Sequence, residues 1–530
     1  MNQTGSTPTA GRLNQKSIFL GFNVDVAAPR VLAVMIIYAA IRSLVAAATS
    51  PFWFDEVITV AVARLPSASA IWNVLRLGAD GNPPGFYLIE HAFAALIPNP
   101  SIAYRLPSII ALCCTLLCVY VYARRRTGNG RALLCALITL TTVLYFNYPV
   151  EARPYGMVVA CIAFALVCYQ RAPATLWMFL MCFSLALALT LHYYAVYALV
   201  PFGAAELALL LTWKRLRVGV WLALLCSIVP LIAFWPLVAA LKDYYGHNFW
   251  AHPSFYAAAT TYGWFFEVPG PIGLALAAVL LLGLFGGWRL SGSEIRENGR
   301  DAAESLQERV LMLSLLSLPV VVYAAAKLTH GGMINRYAVP AVLAYPLGVG
   351  FILPRLTRRS VMFLAVFVFV VVAARDEAFW AMHGSHLAGV TSPTADMEQF
   401  INSAGYGNLP VVVTSDSVLL EYYVSPQLAK RLVTLVDLSK SVEYEGTDTI
   451  DRLNLSLQGW LPLRVYQFQE FVSTQPSFLL YSAGNIVNAG GSSFYDWFTP
   501  ELLREGHSLR VVAASGNQRI YLVGPAAAVH

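Results

Sequence analysis

Charge is what this 530-residue sequence has least of: 12% of its residues are Asp, Glu, Lys or Arg, against 58% hydrophobic. A soluble protein carries roughly twice that charged share. With a mean hydropathy of +0.61, the scarcity excludes an ordinary soluble globular chain and leaves a polytopic membrane protein. Cysteine is missing beyond position 226, so no disulfide can form within the carboxy-terminal part. The eight cysteines upstream all fall in apolar runs with no metal-ligand spacing to histidines, which reads as small buried side chains. Also absent are an internal repeat, a low-complexity tract and, in the tail, a nucleotide-binding glycine motif. The first thirty residues lack the basic, short apolar and cleavage regions of a signal peptide. The run from Val31 is therefore expected to be an uncleaved first transmembrane helix.

What is present is a series of apolar runs of membrane-spanning length. They fall at about 31–49, 103–123, 132–149, 154–170, 174–191, 194–212, 218–238, 271–288, 310–327, 337–353 and 360–375. Eleven spans put the termini on opposite sides, and Lys and Arg choose the orientation. With the amino terminus inside, the inner segments hold 18 Lys and Arg, among them Arg12, Lys16, Arg296 and Arg355, against 7 in the outer loops. The positive-inside rule thus predicts a cytoplasmic segment 1–30 and a membrane domain 31–375. The tail 376–530 would then face the periplasm or cell exterior. The net charge of +6 mostly marks the cytoplasmic face and does not call for an acidic partner.

The first outer loop, 50–102, is long. The segment from Glu56 to Leu77 has Ser67 as an N-cap, with Ile71, Val74 and Leu75 on one face and Asn73 and Arg76 on another. The apolar stretch after Asn82-Pro83-Pro84, ending near Ile97, is too short to span untilted. Both are expected to be interfacial helices. After residue 376, helix-like stretches (396–403, 493–504) alternate with β-branched runs (411–414, 432–436, 478–481, 510–513, 519–523), predicting a small α/β domain.

With this orientation, most of the unusual polar residues lie at outer loops or outer helix ends. Asp55 and Glu56 follow the first span directly, and ionisable groups so near hydrocarbon are costly unless a partner, water or substrate compensates. Glu151-Ala152-Arg153-Pro154-Tyr155 joins two helices, with Pro154 suited to a first helical turn. Its Glu and Arg could pair and cap that turn, or the planar guanidinium could hold a phosphate. A second Arg-Tyr pair, Arg336-Tyr337, opens another helix on the same side. Glu206 lies inside the sixth span and reads as a helix–helix polar contact. His247 and His252 lack a third nearby ligand, so no metal site is assigned. Two adjacent acids still leave a divalent cation open.

Trp53-x-Asp55-Glu56, Asn82-Pro83-Pro84-x-x-Tyr87, Arg105-Leu106-Pro107-Ser108 and Glu151-Ala152-Arg153-Pro154-Tyr155 occur in that order. The set resembles the GT-C membrane glycosyltransferases of the protein O-mannosyltransferase-like group, which includes lipid A aminoarabinose transferases and lipopolysaccharide galacturonosyltransferases. His192-Tyr193-Tyr194 and Arg336-Tyr337 are further, weaker matches, and the likeness covers about residues 31–350. Asn82 stands where relatives often have His before the two prolines.

The resemblance implies an integral-membrane enzyme that passes a sugar, with inversion, from a polyprenyl-phosphate donor to a lipid, glycan or protein acceptor outside the bacterial inner membrane. In such an enzyme Asp55 would be the general base, with Glu56 its partner or an acceptor-positioning group. Arg153 and Arg336 would hold the donor phosphate with Tyr155 and Tyr337 as hydrogen-bond donors. Arg105, His192, Tyr87 and Asn82 would line the sugar and acceptor side. The competing readings are a lipid-linked oligosaccharide ligase or polymerase, a transporter or flippase of lipid-linked sugars, and a non-catalytic scaffold displaying the tail.

Overall fold

The computed structural model describes residues 24–291, 299–352, 358–387, 394–414, 417–482, 497–516 and 518–526. Arg12, Lys16, Arg296 and Arg355, which contributed to the charge count, and the start of the expected helix 493–504 lie outside the described residues.

Each expected span coincides with helix. Helix α1 (Val24–Thr49) starts seven residues before the expected span. Among the described residues, three continuous helical stretches are long and apolar enough to cross a membrane alone: Ala27–Thr49, Pro100–Thr127 and Tyr193–Trp213. Three more pass as bent pairs: Asn129–Thr139 with Val143–Val150 (66°), Val218–Ala233 with Trp235–Tyr245 (54°), and Leu306–Leu316 with Leu318–Thr329 (56°). In the last two pairs a proline, Pro236 or Pro319, sits in the first turn after the bend. Its missing N–H breaks the ladder there without loss to the second helix. Shorter apolar helices cover Tyr155–Tyr169, Thr175–Leu191 and Gly270–Phe285.

The last span departs from expectation. Its helix does not end near 375 but runs from Arg358 to Leu387. Just past the expected end, Asp376 is buried, and Arg42 of α1 lies 3.3 Å away. Tyr38 and Tyr145 donate to the other oxygen of Asp376 at 2.9 and 2.5 Å. Two charges that hydropathy treats as span-breaking thus satisfy each other inside the bundle. Glu206 behaves likewise: Tyr169 donates to it at 2.5 Å and Arg217 holds it through Nε at 3.0 Å.

Between the first two spans the chain builds three short helices, as expected for a structured loop. Helix α2 (Phe54–Ala63) carries the acidic pair in its first turn. Helix α3 (Ala68–Arg76) is capped by the Ser67 hydroxyl, which accepts from the Ala70 N–H at 3.2 Å, and it buries Ile71, Val74 and Leu75. Helix α4 (Pro84–Leu96) starts on Pro84, whose fixed φ suits the first turn. Gly85 in that turn passes so close to Thr190 that a Cβ would lie 2.7 Å from its side chain.

The tail forms the expected α/β unit. Its six-stranded sheet runs β3-β2-β1-β4-β6-β5, made of β1 (Val411–Val413), β2 (Leu432–Val436), β3 (Val465–Gln467), β4 (Phe478–Ser482), β5 (His507–Ser515) and β6 (Gln518–Ala526). The first four strands pair in parallel and β6 turns the sheet antiparallel. Strand β3 escaped the sequence reading because only its first residue is buried. The unit docks beside the acidic pair: the Phe52 N–H donates to the Tyr423 hydroxyl at 2.6 Å, and the Trp250 N–H to Thr449 at 3.2 Å. Val418, Leu453 and Leu457 join the hydrophobic core of the membrane bundle.

Breaking a buried ion pair from one side costs about 3–5 kcal/mol because a lone charge stays behind. Asp376→Ala should therefore lower the detergent-solubilised protein's thermal midpoint clearly. The double change Arg42→Leu with Asp376→Leu should lower it less. Equal loss in both, read by differential scanning fluorimetry, would remove the pairing account.

Candidate functional site

Asp55 and Glu56 are adjacent, yet they face different partners. Trp53 is the N-cap of α2 and Glu56 its third helical residue; the Glu56 carboxylate accepts from the Trp53 N–H at 3.1 Å. The remainder of that carboxylate is occupied from inside the bundle. Arg105 donates to it twice, through Nε at 2.8 Å and Nη2 at 2.7 Å, and the Ala152 N–H donates at 2.6 Å. The other three N–H bonds of Arg105 reach the carbonyls of Ala47, Ser50 and Pro51 at 2.7–2.8 Å. Its guanidinium lies 4.7 Å from the Phe52 ring centre. All five donors are engaged, and both side chains are 1% exposed. Glu56 and Arg105 thus form a buried buttress behind the site rather than part of its open surface.

Asp55 points the other way, its side chain 18% exposed. Arg336 Nη2 is 2.9 Å and Arg153 Nη2 3.8 Å from its Oδ2. Arg153 is anchored on three sides by its other terminal nitrogen: to Asp80 at 2.8 Å, the Thr59 hydroxyl at 3.1 Å and the Asp55 carbonyl at 3.2 Å. The Nε of Arg153 and the Nε of Arg336 are both buried without a hydrogen-bond partner among the described residues. Two guanidinium donors are therefore held next to one carboxylate and unspent.

An aromatic wall completes the site. The Arg336 guanidinium lies 5.5 Å from the Tyr155 ring centre and 5.8 Å from that of Trp53, within cation–π range. Tyr155 and Tyr337 each pack 5.3 Å from His192, and Tyr337 stacks on Tyr194 at 4.1 Å. The His192 Nδ1 accepts from the Tyr194 N–H at 3.2 Å, which puts the ring proton on Nε2. Burial, reinforced by Arg153 and Arg336, pushes the imidazole down to about 3. It is a neutral donor at any ordinary pH.

Asn82 is buried and donates to Asp80 at 3.3 Å, and Tyr87 is buried beside both. The structure thus gathers Asp55, Arg153, Arg336, Tyr155, Tyr337 and His192, with Asn82 and Tyr87 behind Asp80. Asp80 itself was read from sequence only as one of many outer polar residues. Burial opposes its charge, but Arg153 overrides this and keeps its carboxyl below the ordinary value. Its nearness to the Asn82-Pro83-Pro84 motif was the available signal. Among the described residues no three His, Cys, Asp or Glu side chains converge as metal ligands.

Comparison with known proteins bears on the fold. A family model described as dolichyl-phosphate-mannose-protein mannosyltransferase matches residues 81–239. The structure is similar to ArnT from Cupriavidus metallidurans bound to undecaprenyl phosphate, at TM-score 0.54 and 14% identity over 93% of this chain and 97% of that one. The apo form of that protein gives the same TM-score at 13% identity, over 93% and 98% of the two chains. An oligosaccharyltransferase from Archaeoglobus fulgidus gives TM-score 0.41 at 10% identity, over 85% and 69%. No curated protein matches significantly by sequence. The chain is a membrane protein with the fold of the ArnT structures, and residues 81–239 match the mannosyltransferase family model.

Glu151 supplies a pH test. Burial, with the nearby Glu56 charge adding to it, pushes its carboxyl up to about 7, while Arg336 and Arg153 partly oppose the rise. A carboxyl raised on folding contributes stability that is complete below its unfolded value and lost as pH climbs through the folded one. The thermal midpoint should therefore fall between about pH 4.5 and 7 through this group, and Glu151→Gln should flatten that slope. An unchanged slope in the variant would place the carboxyl at an ordinary value.

Proposed function

We propose that this protein moves a sugar from a polyprenyl-phosphate carrier to an acceptor hydroxyl or amine, with Asp55 as general base. The observation that carries the reading is the placement of one partly exposed carboxylate against two arginines whose Nε donors are unspent. Such a reaction needs a group to take the acceptor's proton as it attacks and cations aimed at the charge growing on the departing phosphate. Asp55 serves the first need, and Arg153 and Arg336 the second. The likeness to an ArnT structure bound to undecaprenyl phosphate supports a carrier of that class.

In this reading the site's own charges balance, with Arg153 and Arg336 set against Asp55 and Asp80. A donor phosphodiester brings one negative charge and competes with Asp55 for Arg336. Asp80, Thr59 and the Asp55 carbonyl keep Arg153 in place meanwhile. The carboxylate released from Arg336 then accepts the acceptor's proton while the C1–O bond to phosphate breaks. Attack from the side opposite the phosphate inverts the anomeric centre. The tyrosines Tyr155 and Tyr337 flank the phosphate, and the neutral Nε2–H of His192 is a donor for a sugar hydroxyl or a phosphate oxygen. Arg105 and Glu56 act as positioning residues, holding the helix start that carries Asp55. The site faces outward from a bacterial inner membrane, with the amino terminus cytoplasmic and the tail unit covering the acceptor side.

Removing a general base typically costs 10²–10⁴-fold, so Asp55→Asn should lose about that much transfer while still binding the carrier. Arg153→Ala and Arg336→Ala should weaken carrier binding itself. A knockout strain should accumulate polyprenyl-phosphate sugar and lack one envelope glycan by mass spectrometry. Full transfer activity in correctly inserted Asp55→Asn would exclude the base assignment. Unchanged carrier affinity in both arginine variants would exclude the phosphate assignment.

A further inference from the structure

A second polar cavity, of about 380 Å³, opens at the other end of the bundle from Asp55. Arg105 immediately precedes the helix Leu106–Thr127 at the candidate site, whereas Arg125 and Arg126 lie in that helix's last turn. The 22 residues of the helix rise about 33 Å between them. The cavity is lined by Arg125, Arg126, Arg171 and Arg217 together with Tyr122, Gln170 and Glu308, so side chains from four separate elements converge. Their charges do not cancel. Arg126 pairs with Glu308 at 2.9 Å and Arg217 is taken by Glu206. Arg125 donates to the Gln170 carbonyl and Arg171 to the Val167 carbonyl, and neither has a carboxylate partner among the described residues.

The Tyr122 hydroxyl, on a residue 2% exposed, lines this cavity beside the Gln170 side chain, its hydrogen-bonding neighbour. Two guanidiniums without a carboxylate partner among the described residues, beside the Tyr122 hydroxyl, constitute a donor set for a phosphate.

The surroundings favour a phosphate with a hydrocarbon tail. Immediately beyond the cavity-lining Ala174, the helix Thr175–Leu191 turns Leu176, Phe179 and Phe183 outward at 62%, 66% and 56% exposure. The neighbouring helix Val218–Cys226 exposes Val218 and Leu222 at 55% and 54%. An apolar strip thus begins where the cationic cavity ends, as an acyl chain below a headgroup requires.

We propose that this cavity binds the phosphate headgroup of an anionic phospholipid in the leaflet opposite the candidate active site. The site is independent of the transferase reading. It ties together three helix ends and the loop 170–174, so occupancy braces the bundle at the end remote from Asp55.

The test is native mass spectrometry and thermal denaturation of the full-length protein in detergent, titrated with phosphatidylglycerol, phosphatidylcholine or inorganic phosphate. Phosphatidylglycerol should remain bound and raise the thermal midpoint, phosphatidylcholine should not, and Arg125→Gln with Arg171→Gln should weaken the effect about tenfold. Equal stabilisation by inorganic phosphate alone, or an undiminished response in the double variant, would overturn the proposal. On the unmodified protein, a photoreactive phosphatidylglycerol headgroup should crosslink within residues 169–177. Crosslinks confined to other segments would equally overturn it.

Discussion

The salt bridge between Glu56 and Arg105 is the contact on which the candidate site depends. It lies wholly inside the protein, and every N–H of the guanidinium is used, two on the carboxylate and three on carbonyls of the turn leaving α1. The same carboxylate closes the first turn of α2 and accepts from Ala152, one residue before Arg153. One buried ion pair therefore fixes three things together: the end of the first membrane helix, the start of the helix carrying Asp55, and the turn carrying Arg153. An isolated buried pair of this kind is weak evidence of stability. Its value here is geometric, because Glu56 must meet Arg105, 49 positions on, and the Ala152 N–H, 96 positions on, within hydrogen-bond distance.

A second principle organises the rest of the bundle: charges that hydropathy marks as misplaced find partners between helices. Arg42 and Asp376 meet with two tyrosine hydroxyls, and Glu206 meets Arg217 and Tyr169. The polar helix–helix contact expected for Glu206 is present. The helix of the last span runs on past residue 375, and a single sequence cannot reveal that Asp376 has Arg42 waiting for it. Bends were hidden for a related reason, since a 3.6-residue apolar pattern continues across Pro236 and Pro319 while the helix axis does not.

Much of the site's membership was legible, because outer-loop residues in a helical bundle are forced onto one face once the orientation is chosen. Asp55, Arg153, Arg336, Tyr155, Tyr337 and His192 do come together. Their division of labour was not legible. Nothing in Asp55-Glu56 says that one acid faces the open site while the other is sealed inside, since that depends on where a helix begins and on an arginine 49 positions away. Arg105 was placed on the sugar and acceptor side for the same reason, although its donors are all spent. Asp80 was overlooked as a partner because loop 78–83 has no periodic pattern to fix its direction.

The central claim is that Arg153 and Arg336 receive the carrier phosphate while Asp55 is freed to act on the acceptor. A structure of the protein with a polyprenyl phosphate bound tests it most directly. The account predicts phosphate oxygens about 3 Å from guanidinium nitrogens of both arginines, with Arg336 drawn away from Asp55 and the Glu56–Arg105 pair unmoved. A phosphate bound away from both arginines, with the Arg336–Asp55 contact intact, would contradict it.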